Sequence, residues 1–339
     1  MERKAFGKLA DGEEATLYTI SNTKGMYAQI TDFGASIVSL VVKDKDGKNT
    51  DVVLGYENAE TYQQQMASFG AVVGRNCNRI ANAEIVIDGV TYQLEKNDNE
   101  NNLHSGSQAT SRRLWDAEEQ TADKITFVIK DAEGQQGYPG NAVMKVTYEV
   151  TEANELSITY HATADKTTIF NMTNHAYFNL CGKGKKITEH RLHIPADRIL
   201  DTTPAFIPTG KRMNVKNTPF DFTSLKPIGT DLYADHEQLL WNKGYNHCYI
   251  LKDEISVEML EAASLYEPVT GRKMTVMTDL PAVLLYTAGY YERPDTAVCL
   301  ETQFYPDTPS HSDFPSCLVL PEKAYEHCTL FHFQVQKEE

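Results

Sequence analysis

The sequence lacks any Cys-x-x-Cys pair: its six cysteines, at positions 77, 181, 248, 299, 317 and 328, are scattered along 339 residues. That spacing encodes neither a zinc ribbon nor a thioredoxin-type redox motif. A chain this long buries a core without covalent staples, so free thiols in a reducing compartment, the cytoplasm, are expected. Long apolar runs are also missing. The best stretch, Ala282 to Tyr291, is broken by Thr287 and Gly289 and falls well short of the roughly 18 residues that a membrane span needs. The N-terminal Met1-Glu2-Arg3-Lys4 leads into no apolar core of secretion-signal length. Basic residues are in deficit, 32 Lys and Arg against 47 Asp and Glu, for a formal net charge of -15. Nucleic acid and anionic membrane surfaces are therefore not expected as partners. A Gly-x-Ser-x-Gly nucleophile elbow, a P-loop and a Gly-x-Gly-x-x-Gly fingerprint are absent as well.

What remains is mostly two-residue alternation, the signature of half-buried strands. Ala142, Met144, Val146, Tyr148 and Val150 share one face, and Leu156, Ile158, Tyr160 and Ala162 repeat the pattern after a polar turn at Glu152 to Glu155. Ile85 and Ile87 lead into Asp88-Gly89 and Val90, Tyr92 and Leu94 lead out, a dipeptide suited to a tight hairpin. Val38, Leu40 and Val42 with Val52, Val53 and Leu54, joined across Asp46-Gly47, form a third candidate hairpin. Helical spacing is confined to Ala59, Tyr62 and Met66 and to Asp235 to Trp241. With no linker, low-complexity tract or fixed-period repeat, the pattern predicts an all-β fold, a large single antiparallel β-sandwich whose loops could carry a site.

Of ten histidines, His190-x-x-His193 comes nearest to metal-ligand spacing. Residues three apart on a strand point to opposite faces, so no metal site is expected there, and His327 and His332 fail by the same parity. More informative are polar residues set among apolar ones. These are Arg75, Asn76, Asn78 and Arg79 after an apolar strand, His104 in a polar loop, His175 within Asn-Met-Thr-Asn-His-Ala-Tyr-Phe-Asn-Leu, and Glu301 within Leu-Glu-Thr-Gln-Phe-Tyr-Pro. A buried carboxylate or imidazole costs several kcal/mol unless partnered. A structural Arg75–Glu301 ion pair would satisfy that for each cluster singly. One carboxylate, two imidazoles, an Arg and several amides beside Tyr177, Phe178, Phe304 and Tyr305 together suit a neutral polyhydroxylated ring, with His and Glu to pass protons.

Gly74-Arg75-x-x-Asn78-Arg79-Ile80, Asn102-Leu103-His104-x-Gly106, Gly137-Tyr138-Pro139-Gly140, Asn174-His175-x-Tyr177-Phe178-Asn179-Leu180, Thr218-Pro219-Phe220-Asp221-Phe222 and Leu300-Glu301-Thr302-Gln303 follow one another along the chain. In this order they resemble the signatures of the galactose mutarotase, or aldose 1-epimerase, family, and the likeness runs from about residue 28 to residue 332. The resemblance implies a supersandwich formed by a single domain over residues 1–339. It also implies interconversion of the α and β anomers of free aldoses such as galactose and glucose, with no cofactor and no metal. By motif position, Glu301 matches the general base and His175 the general acid. His104, Arg75 and Gln303 match substrate-positioning groups, and Asn78 and Tyr177 lie within the matching segments. Two departures stand out. Gly244-Tyr245-Asn246-His247 places an amide, Asn246, where the family has a sugar-binding Asp, and the residues after His104 run Ser-Gly-Ser-Gln-Ala-Thr-Ser-Arg-Arg instead of Gly-Gly followed by Gly-Phe-Asp-Lys.

With these groups, Glu301 as carboxylate would take the anomeric hydroxyl proton while His175 as imidazolium gives one to the ring oxygen. If the imidazole titrates above the carboxylate, the rising limb of the rate profile belongs to Glu301 and the falling limb to His175. Competing readings are a carbohydrate-binding module, a phosphosugar epimerase and a glycosidase, the last needing a second acid such as Asp221 or Asp279 facing Glu301.

Overall fold

The computed structural model describes residues 2–65 and 67–336, so Met66, the last member of the first helical pattern, lies outside the described residues. Three antiparallel sheets dominate. A nine-stranded sheet runs, edge to edge, through Asp116–Gln120, Lys124–Asp131, Ala142–Val150, Glu155–Ala164, Tyr325–Val335, Arg272–Thr278, Leu260–Glu267, Arg191–His193 and Lys226–Pro227. A five-stranded sheet orders Pro208–Asn214, Arg198–Thr202, Asn246–Ile250, Ala282–Tyr286 and Cys299–Gln303. A second five-stranded sheet is a meander from Glu2–Lys8 to Asn49–Asp51. Their inner faces share one cluster of buried side chains, including Ile20 and Ile30 from the meander, Phe127, Val146 and Ile158 from the large sheet, and Tyr249 and Val283 from the third. Each fully buried side chain of this kind contributes roughly 1.5 to 3 kcal/mol relative to exposure. The molecule is the large antiparallel β-sandwich that the alternation predicts.

The predicted hairpins form where the sequence places them. In Ala142–Val150 burial alternates strictly, and Met144, Val146 and Tyr148 register against Ala162, Tyr160 and Ile158. The intervening turn sits at residues 151–154, one residue earlier than expected, because Glu155 already belongs to the next strand. In the Glu84–Ile87 and Val90–Gln93 hairpin, Asp88 and Gly89 both take positive φ, 52° and 77°, as a two-residue turn of matching twist requires.

The third hairpin differs in a way that builds the site. Ser36–Lys43, paired on one edge with Tyr27–Thr31, pairs on the other with just the three residues Asn49–Asp51. Past Asp51 the chain leaves the sheet: Val53 bridges Phe178, Leu54 N–H donates to Tyr177 O at 2.9 Å, and Phe178 bridges Val298 on its other side. The segment carrying His175 and Tyr177 is thus clamped between two other parts of the chain. Among the described residues α-helix is limited to Ala59–Gln64, capped by Asn58 Oδ1 accepting from Thr61 N–H at 2.9 Å, and Glu237–Asn242. Among the described residues no helix is long and apolar enough to cross a membrane.

Candidate active site

Glu301 lies on Cys299–Gln303, a strand buried along its whole length and paired with Ala282–Tyr286, so that Glu301 registers with Leu284. Alternation turns its carboxylate to the floor of a cavity of about 430 Å³. Neither carboxylate oxygen has a hydrogen-bond partner among the described residues, and desolvation raises the pKa of the group to about 8. That is the state of a proton carrier awaiting a ligand.

His175 follows the short strand Thr173–Asn174, which pairs with Val72–Val73, and its own backbone is fixed by bonds to Ala71 and Gly70. The ring stacks on Tyr177 with centroids 5.0 Å apart and planes 15° apart, which aims Nε2 at Glu301 Oε1, 3.6 Å away. Burial lowers its pKa to about 4. His104 meets the edge of that ring at a centroid distance of 5.4 Å. Its Nδ1 accepts the Asn78 backbone N–H at 3.1 Å, so the neutral ring carries its proton on Nε2, ready to donate. Desolvation, and secondarily His175, keep the His104 pKa well below the ordinary histidine value.

His104, His175, Glu301, Asn78, Tyr177 and Asn246 all line the cavity. Asn246 opens the strand Asn246–Ile250 and registers with Tyr286, while its neighbour His247 turns into the core, where burial lowers its pKa to about 3. Phe220 and Pro219 of the Thr-Pro-Phe-Asp-Phe motif accept hydrogen bonds from Tyr249 and Tyr245, both at 2.9 Å. That motif buttresses the strand and does not line the cavity.

Two predicted positions are corrected. Arg75 is fully buried away from the cavity, with Nε on Asp131 Oδ2 at 2.7 Å, Nη1 on Pro139 O at 2.7 Å and Nη2 on Gly140 O at 2.8 Å. All of its directional donors are spent on structure, and Pro139 and Gly140 of the Gly-Tyr-Pro-Gly motif supply two of the acceptors. The structural alternative of an Arg75–Glu301 pair is excluded too, because Asp131 holds the guanidinium. Gln303, one alternation beyond Glu301, sits under Cys77, whose thiol is 3.4 Å from Oε1, and does not reach the cavity wall.

Sequence reasoning missed Arg79 and the tyrosines. Arg79 lines the cavity with its Nε held by Asp98 at 2.7 Å and its guanidinium over the Phe206 ring at 4.7 Å. A signal existed: Arg79–Ile80 pairs with Asn102–Leu103, which joins the two motifs that deliver Asn78 and His104. Tyr56, Tyr286, Tyr290 and Tyr291 complete the wall.

The remaining candidates have other partners. His190 Nε2 accepts from Leu180 N–H and His193 faces Glu261, so they diverge as strand parity requires. Asp221 accepts from Thr223 and Asp279 from His327 and Cys328, and neither carboxylate lines the cavity.

The fold recurs in solved structures. An aldose epimerase homologue from C. elegans superposes with a TM-score of 0.87 at 28% identity, covering 95% of this chain and 99% of the other. A galactose 1-epimerase from Lactobacillus acidophilus gives 0.87 at 25% identity, with 99% of each chain covered. The aldose 1-epimerase of Escherichia coli K12 is 34% identical over 335 residues, covering 95% of this chain and 96% of its own. Galactose mutarotase of Rattus norvegicus is 35% identical over 345 residues, covering 98% of each. The family model for aldose 1-epimerase matches residues 16–332. The architecture is thus that of a galactose mutarotase-like sandwich. The chain belongs to the aldose 1-epimerase family of isomerases.

Proposed function

We propose that the protein interconverts the α and β anomers of free aldohexoses such as galactose and glucose. Glu301 exchanges the proton of the anomeric hydroxyl and His175 that of the ring oxygen. The observation that carries this reading is the pair itself, Nε2 to Oε1 at 3.6 Å, with both carboxylate oxygens otherwise unpartnered on the floor of a cavity walled by tyrosines. Proton transfer at the two oxygens opens the hemiacetal to an aldehyde. Rotation about the adjacent carbon–carbon bond and reversal of both transfers close the other anomer. No covalent intermediate is formed. His104 Nε2, Asn78, Asn246 and Arg79 would bind the remaining hydroxyls, a reading supported by their all lining the cavity.

A glycosidase reading is disfavoured because Asp221 and Asp279 are bonded elsewhere, and a phosphosugar reading because Arg79 is already neutralised by Asp98. The same proposal takes residues 1–339 as one domain, supported by a buried cluster that extends from Tyr18 to Phe333. It also takes the cytoplasm as the setting, supported by six free cysteines. Polarimetry on freshly dissolved α-galactose tests the activity: an accelerated approach to the equilibrium rotation is expected, and an unaccelerated one rejects the proposal.

The titration order is the reverse of the sequence-based expectation. Burial raises Glu301 to about 8 and lowers His175 to about 4, so between those values the free pair holds one proton, on the carboxyl. The reactive arrangement, carboxylate with imidazolium, holds the same single proton and is reached by transfer within the pair once sugar hydroxyls bond to the carboxylate. The rate therefore follows the singly protonated pair. We expect kcat/KM to rise with pH through about 4 as His175 gives up a second proton, and to fall through about 8 as Glu301 gives up the last. In His175→Asn no imidazole can take up the carboxyl proton, so the residual activity should lose the acid limb at about 4 and rise with pH as Glu301 ionises to the carboxylate. An acid limb that persists unchanged in the variant would remove His175 from the profile.

At Asn246 the amide offers one acceptor where a carboxylate offers two. Hydrogen bonds to charged groups contribute roughly 1.5 to 3 kcal/mol and neutral ones about 0.5 to 1.5. A difference near 1 kcal/mol is about fivefold in affinity. Asn246→Asp is expected to lower KM for galactose or glucose several-fold with little change in kcat. A higher KM on every common hexose would mean that the pocket is retuned for another aldose.

A further inference from the structure

Behind the proton-transfer pair lies a group that the proposed reaction does not use. Cys299 is fully buried, does not line the cavity, and holds its Sγ 3.7 Å from His175 Nδ1. It shares a strand face with Glu301, two residues on. One ligand atom each from His175, Cys299 and Glu301 lies within 4.8 Å of the other two, and all three residues are buried. The unpartnered carboxylate oxygens of Glu301 are a second, independent sign of a missing ligand.

We propose that His175, Cys299 and Glu301 form a binding site for a thiophilic divalent cation, with Zn²⁺ as its representative, and that the bound ion blocks the sugar cavity. A tetrahedral zinc takes sulfur at about 2.3 Å and nitrogen or oxygen at about 2.0 to 2.2 Å, which sets neighbouring ligand atoms some 3.3 to 3.6 Å apart. The 3.6 Å and 3.7 Å contacts lie on opposite ring nitrogens, of which one ion takes only one, so whichever nitrogen binds has one partner already near that spacing and the other within reach. Bringing a single imidazole nitrogen to both partners requires a side-chain adjustment of about 1 Å.

Charge and softness agree with the geometry. Thiolate and carboxylate together offset the two charges of the ion, so the buried site ends neutral, with any protons the two groups hold leaving to solvent. Sulfur and imidazole select Zn²⁺ over Mg²⁺ and Ca²⁺, which prefer all-oxygen shells. His175 and Glu301 open on the cavity, which gives the ion its entry path and leaves its fourth position facing the space that the sugar would occupy. Coordination takes up lone pairs of both proton-transfer groups. Inhibition, unlike binding, rests on the function proposed above.

Binding is read with Co²⁺ as a spectroscopic stand-in added to chelator-treated full-length protein. A near-ultraviolet thiolate-to-cobalt charge-transfer band is expected, absent with Mg²⁺ and lost in both Cys299→Ser and Cys299→Ala. Two variants are used so that a folding defect in one leaves the test intact. In polarimetry, Zn²⁺ should slow mutarotation reversibly to chelator. Loss of an outer partner of a metal ligand costs about 10- to 100-fold in affinity, so the zinc concentration for half inhibition should rise at least that much in Cys299→Ser. Absence of the cobalt band, its survival in both variants, or equal zinc sensitivity of native and variant proteins would overturn the proposal. A protein that shows the band but never accelerates mutarotation retains the cation site and fails only the enzymatic reading.

Discussion

A Glu301→Gln variant is expected to lose about 100- to 10,000-fold in mutarotation rate, the usual cost of removing a positioned proton-transfer group, and yet to melt at a higher temperature than the native protein at pH 8. Both effects follow from one feature, a carboxyl buried with no hydrogen-bond partner. Its folded pKa, about 8, lies above its unfolded value near 4.5. Below the unfolded value both states hold the proton and burial carries no ionisation penalty. As pH rises from there towards 8, the unfolded chain releases a proton that the folded one retains, so stability falls steadily across that window and levels off above it. The loss accumulates at about 1.4 kcal/mol for each pH unit crossed between the two values and reaches the order of a few kcal/mol. Glutamine has nothing to ionise and escapes this loss. Thermal unfolding should therefore give a gain of a few degrees for the variant at pH 8 and almost none at pH 4. An unchanged melting difference across that range would show that Glu301 titrates normally, and near-native turnover in the folded variant would remove it from the reaction.

The fold was legible because strand parity is a local signal. Alternation in Ala142–Val150 and the Asp88-Gly89 turn each determine their own geometry, and the neighbouring strand follows from register. The convergence of Glu301 and His175 was legible for a related reason: ionisable side chains inside apolar strands are costly, so both stood out. What stayed hidden depends on contacts between distant segments. Nothing local distinguishes Arg75 from Arg79, four residues apart in one motif. Their fates are decided by Asp131 and the carbonyls of Pro139 and Gly140 for the first, and by Asp98 and Phe206 for the second. The order of the two pKa values was hidden likewise, since it depends on depth of burial, which composition does not reveal. Asn171, Asn174 and Asn179, which flank His175 in its motif segment, clamp backbone, on Phe304, Gly70, and Lys185 with Thr296.

The two arginines give the second large effect, and they separate folding from binding. Replacing Arg75 with Met keeps much of the side-chain volume but leaves Asp131 with only Arg113, itself at the edge of the site, and strands the carbonyls of Pro139 and Gly140. Removing one partner of a buried ion pair typically costs about 3 to 5 kcal/mol, a large part of the roughly 5 to 15 kcal/mol that holds an ordinary domain together. Arg75→Met should unfold at markedly lower denaturant, while whatever fraction remains folded turns over sugar with an unchanged KM. Arg79→Met removes a partly exposed ion pair on the cavity wall, worth about 1 kcal/mol or less to stability. On the function proposed above it also removes a charged donor from the cavity wall, whose hydrogen bonds to a sugar would each be worth roughly 1.5 to 3 kcal/mol. Its melting should barely change while KM for galactose rises about tenfold or more. Should Arg75→Met fold normally and bind sugar poorly, the buried guanidinium would have to leave Asp131 during binding, and the division between the two arginines drawn from their contacts would fail.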